Sequence, residues 1–84
     1  MDAGSLRALI EHEIAELRAA CPRISKCRAK TETLNGSISV GLDIRLPEHQ
    51  SLVSGPLRDD PYAAVRAAFE AARRSLDRTP WAQI

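Results

Sequence analysis

The sequence predicts an α+β fold in two layers, a three-stranded antiparallel meander with two helices on one of its faces, in the order α-β-β-β-α. Three observations carry this prediction. Ile38, Val40, Leu42, Ile44 and Leu46 alternate strictly with Ser37, Ser39, Gly41, Asp43 and Arg45, a period of two that buries one face of a strand and leaves the other polar. Asn35-Gly36, just before that run, is a tight-turn pair, because a type I′ hairpin turn needs positive φ at both central residues. Asp59-Asp60-Pro61-Tyr62 supplies a helix N-cap followed by a proline at the first helical position, where its missing N–H costs nothing.

Taken in order, the first element is a helix over residues 6–20, capped by Ser5 and stopped by Pro22. Leu6, Leu9, Ile10, Ile14, Leu17 and Cys21 recur at helical spacing and form one apolar stripe. Glu13 falls inside that stripe, so its carboxylate must reach the rim or meet a cation, for which an arginine of the second helix is suited. A functional carboxylate is the other reading of Glu13, and no second residue in the sequence supports it. Residues 24–33 read as a strand with Lys26, Arg28, Lys30 and Glu32 on one face and Cys27, Ala29 and Thr31 on the other.

The alternating strand over residues 37–46 follows, then a turn at Pro47-Glu48-His49 and a short third strand over residues 50–54, ended by Gly55-Pro56. The second helix is predicted over residues 61–77. Its core stripe is Tyr62, Val65, Phe69, Ala72 and Leu76, flanked by a small-residue side of Ala64, Ala68, Ala71 and Ser75. The opposite arc carries Arg66, Glu70, Arg73, Arg74, Asp77 and Arg78. So wide an uncharged surface needs a second cover beside the sheet, and the first helix against the alanine side is the expected one. Residues 1–78 thus make one domain, and residues 79–84 a tail in which Pro80 blocks the helix and Trp81 folds back as a plug.

With 84 residues and a single Trp, Tyr and Phe, the core must be aliphatic and small, which favours self-association or a partner. The balance of 12 basic to 11 acidic residues says little as a total. Its distribution says more: from Arg18 to Lys30 the charges are Arg18, Arg23, Lys26, Arg28 and Lys30, with no acid, whereas Glu11, Glu13 and Glu16 gather on the first helix. Cys21 and Cys27 lack a zinc or redox spacing, and His12 and His49 add no close ligand pair, so free thiols are expected and no metal or other cofactor. The lack of a signal peptide or a bilayer-length apolar run makes the cytoplasm the expected location, with no membrane partner.

Cys27-Arg28-Ala29, the segment from Val40 to Pro47, Leu52-Val53, and above all the run from Asp60-Pro61-Tyr62-Ala63-Ala64 to Arg73-Arg74-Ser75-Leu76 carry a resemblance. In these the chain resembles the bacterial ribosome hibernation-promoting factor and ribosome-associated inhibitor family, also called the sigma-54 modulation family, from about Leu6 to Arg78. The resemblance implies a protein that binds the small ribosomal subunit and silences idle ribosomes, with Lys and Arg set against rRNA phosphates. Carried over residue by residue, the rRNA-binding candidates are Lys26, Arg28 and Lys30 in the first strand and Arg66, Arg73, Arg74 and Arg78 in the second helix. Clustered cations bind a polyanion by releasing its counterions, without reading bases.

The chain departs from that family in three ways. Members begin with a strand for which this sequence has no room before Ser5, so one sheet edge is expected to be open or paired with a second subunit. Their second helix and tail are more basic than this one, which Glu70 and Asp77 dilute, and the overall charge is nearly balanced.

Without the family's first strand, the element order is that of a double-stranded-RNA-binding domain. Such domains put lysines at the start of the second helix, where this chain has Asp59-Asp60-Pro61, whose charge repels RNA and suits the helix dipole. The alternative to rRNA binding is a homodimeric interaction module of the same fold, joined through the open sheet edge or the alanine side of the second helix. An enzyme is not expected, and no small-molecule substrate: the sequence has no Gly-rich phosphate loop and no nucleophile with a base signature, and its one acid doublet sits at a helix cap.

Overall fold

The computed structural model describes residues 3–78, so the expected tail at 79–84 and its Trp81 lie outside the described residues. The elements are α1 (Ala3–Ala20), β1 (Lys26–Leu34), β2 (Ser37–Leu46), β3 (His49–Ser54) and α2 (Pro61–Asp77). They form an antiparallel sheet in the order β1-β2-β3 with both helices on one side, the α+β fold that the sequence predicts.

Asn35 and Gly36 both have positive φ, 50° and 83°, and the two-residue turn pairs Leu34 with Ser37 and Lys26 with Arg45 at the far end of the hairpin. The second turn pairs Leu46 with His49. Directly opposed residues share a face. The outer face therefore reads in rows: Lys26, Arg45 and Gln50; Arg28, Asp43 and Leu52; Lys30, Gly41 and Ser54. On the inner face Val40, Leu42, Ile44 and Leu46 are all buried.

Asp60 caps α2, its carboxylate accepting from the Tyr62 N–H at 3.1 Å, while Asp59 accepts from the Ser37 hydroxyl at 2.9 Å. Asp60 thus closes the start of α2, and Asp59, the residue ahead of the cap, is tied to the start of β2. Phe69 is fully buried and sits with Leu17, Val40, Ile44 and Val65 at the centre of the core.

Besides β3, which begins at His49 and not at Gln50 because His49 already pairs with Leu46, three details differ from the sequence reading. The first helix begins at Ala3, so Ser5 is inside it and not its cap; a serine near a helix start fits the first turn as well as the cap. The first strand runs Lys26–Leu34 and not 24–33, because the Ile24 N–H turns back to the Cys21 carbonyl at 3.1 Å and the β2 ladder is met only at Ser25. Ile24 is a core anchor ahead of the strand.

The third difference is the cover of the alanine side. Ala64 and Ala68 are fully buried, and a side-chain carbon at Gly55 would lie 2.9 Å from Ala68 Cα and Cβ and 3.1 Å from the Val40 carbonyl oxygen. The small residues of α2 let it settle close onto the sheet at Gly55. Helix α1 lies along the other flank of the buried stripe, where Glu13 meets Arg73.

Candidate nucleic-acid interface

The sequence singles out seven cations, and the fold divides them between its two layers. Lys26, Arg28 and Lys30 stand on the outer face of the sheet, exposed, about 7 Å apart along β1 because alternate residues of a strand share a face. Arg66, Arg73, Arg74 and Arg78 belong to α2 and its C-cap, in the other layer. The structure sets the three strand cations in one row, spreads the four arginines along α2 and its C-cap, and does not bring the two sets together.

The two sets also differ in how their charges are engaged. Arg73 is part-buried and its Nη2 donates to Glu13 Oε2 at 3.2 Å, and Arg74 is paired with Glu70 one turn earlier on the helix. Arg66 is exposed, and Arg78 closes the helix, its N–H donating to the Arg74 carbonyl at 3.2 Å. Among the described residues no carboxylate lies within ion-pair distance of Lys26, Arg28 or Lys30; Glu11, Glu13 and Glu16 do not fold over them.

The outer face adds a cation not assigned from the sequence. Arg45 lies across from Lys26, and its Nη2 is 3.7 Å from Asp43 Oδ2. Asp43 also accepts from Gln50 Nε2 at 2.9 Å, so this acid in the middle of the face is held by neighbours on its own strand and on β3. The register that sets Arg45 beside Lys26 follows from the Asn35-Gly36 turn, a signal present in the sequence. Gly41, with no side chain, leaves a shallow depression of about 450 Å³ between Arg28 and Lys30 on one side and Leu52 on the other. Leu52 is 75% exposed. Glu32 and Asp43 border the same depression, so cations and carboxylates share its rim around a partly apolar floor.

On the inner face, burial pushes the Cys27 thiol up from its ordinary value, the Arg18 guanidinium draws it partly back, and the Asp43 carboxylate adds to the rise. Cys21 is buried, and neither cysteine is in a disulfide. Among the described residues no three His, Cys, Asp or Glu side chains converge as a metal site requires, and no helix is long and apolar enough to cross a membrane. His12 lies exposed beside Glu16, its Nε2 3.6 Å from Oε1.

In comparison with known proteins, no family model, no curated protein and no solved structure matches the chain.

Proposed function

We propose that this protein binds the small ribosomal subunit as a hibernation-type translation inhibitor, seating rRNA phosphates on the outer face of its sheet. It acts by occupancy, with no chemical step, and works in the cytoplasm where ribosomes are found. The observation that carries the reading is the row Lys26, Arg28 and Lys30, exposed and unengaged by carboxylates among the described residues, with Arg45 beside it. A polyanion gains affinity from such a row through counterion release. The resemblance of the segment from Asp60 to Leu76 to the hibernation-factor helix supplies the ribosome as the polyanion. Arg66, Arg74 and Arg78 contribute only where the protein is inserted between two RNA segments, since they belong to the other layer; Arg73 is committed to Glu13.

The test is co-sedimentation of the purified protein with small ribosomal subunits at low and at moderate salt. Salt-sensitive pelleting with the subunit is expected. Protein that stays in the supernatant at both salts overturns the reading.

A further inference from the structure

We propose that the free edge of β1 accepts an extended segment of a partner protein as a fourth strand, and that this segment alternates acidic with apolar residues. The inference does not rest on rRNA binding. The edge is long and open: Lys26–Leu34 pairs only with β2 among the described residues. It has no proline; Lys26, Arg28 and Lys30 are charges of the kind that turn away basic or apolar strands from an edge, and they leave it open to an acidic one. The opposite edge strand, β3, is shorter, with six residues against nine in β1. Beyond it the chain stays on β2, the Gly55 N–H donating to the Val40 carbonyl at 2.9 Å and Arg58 pairing with Ile38, N–H to carbonyl in both directions at 2.8 Å.

Both faces beside the β1 edge state what would lie there. On the outer face the neighbours of an added strand are Lys26, Arg28 and Lys30, followed by Glu32. Carboxylates at alternate positions of the incoming strand would form cross-strand pairs with the three cations. On the inner face the first half of α1 stands off the sheet. Leu6, Arg7, Ile10 and Glu11 border a cleft of about 450 Å³ whose other wall is Ala29 and Thr31. These strand residues are too small to fill it, and Leu6 and Ile10 remain only partly buried. Apolar side chains at the intervening positions of the incoming strand would enter the cleft beneath Leu6 and Ile10. Backbone hydrogen bonds supply the pairing and the two alternating faces the selectivity, as in strand addition generally.

A second copy of β1 fits this edge poorly. Its alternate residues are themselves basic, and because α1 stands over the edge, the second copy's α1 would require the same space.

A synthetic peptide alternating Glu with Val is the probe, titrated into the isotope-labelled protein and followed by NMR and amide exchange. Expected are shifts at β1 and at Leu6 and Ile10, slowed exchange of β1 amides, and no slowing along β3. Reversing the stripe with Lys26→Glu, Arg28→Glu and Lys30→Glu should weaken this peptide by about tenfold or more and create binding of a Lys/Val peptide. Surface charge reversal leaves the core untouched, so folding is checked by the unchanged remainder of the spectrum. The proposal is overturned if the Glu/Val peptide does not bind, or if a Glu/Ser peptide binds equally well. It is also overturned if the β1 amides that point away from β2 are already protected in the free protein by self-association.

Discussion

Arg73 of α2 reaches across the helix interface and donates through Nη2 to Glu13 Oε2 of α1 at 3.2 Å, with the Glu13 side chain 14% exposed. This pair resolves the carboxylate that interrupts the apolar stripe of α1, and it removes Arg73 from the cations available to a partner. Glu13→Gln should lower stability by about 1 kcal/mol, since a part-buried charge loses its mate. A double-mutant cycle with Arg73→Gln should give a coupling of roughly 0.5–1 kcal/mol by urea denaturation. Arg73→Gln should then change stability more than affinity for ribosomal subunits. A negligible coupling would mean that the pair only decorates the interface.

Gly55 and Gly36 are glycines for different reasons, and the difference is measurable. At Gly55 an added methyl meets Ala68 Cα and Cβ at 2.9 Å and the Val40 carbonyl at 3.1 Å, atoms with no flexible end to move aside. Gly55→Ala should therefore cost about 1–3 kcal/mol, as overpacking does. At Gly36 the space is open but φ is +83°, so Gly36→Ala should cost only about 1 kcal/mol, from the backbone. Thermal denaturation of the two variants should rank them in that order.

The parts of the fold written in local chemistry were legible in the sequence. The second strand and second helix begin and end where alternation, the Asp60 cap and Pro61 place them. The Asn35-Gly36 turn even contains the register, and with it the pairing of Lys26 with Arg45. What the sequence did not disclose depends on how distant segments meet. The alanine side of α2 faces the sheet because Gly55 permits a close approach there, which no helical pattern encodes. Likewise Arg73, and not its neighbour Arg74, meets Glu13 because of how the two helices lie against each other; Arg74 instead turns along its own helix to Glu70. The candidate site was legible as residue types and divided only by the fold, which sends strand and helix cations to opposite layers.

Cys27 gives the protein a pH dependence with a defined sign. Burial raises its pKa, so the folded state holds the thiol proton more tightly than the unfolded chain does. The resulting stabilisation is complete below the unfolded thiol range, about pH 8.5, and is lost as pH rises from there through the raised folded value. The fall in stability on the alkaline side should be shallower in Cys27→Ala than in the wild type when both are unfolded by urea across that window. Alkylation of Cys27 at neutral pH should also be slower in the folded protein than in denaturant, because the thiolate is the reactive form.

The sheet stripe and the helix arginines should respond differently when their charges are removed. Changing Lys26, Arg28 and Lys30 together to Gln leaves the core intact, since all three are exposed. If these cations hold rRNA phosphates, affinity for small subunits should fall at every salt concentration. The slope of log affinity against log salt should flatten by about two to three, close to one for each phosphate no longer neutralised. Changing Arg66 and Arg78 to Gln is the matched control in the other layer and should alter the slope by less than about one. Reversal of that order would move the interface to α2. The sheet face would then be left for the strand-addition partner, whose Glu/Val mimic should still bind β1 with Arg66 and Arg78 removed.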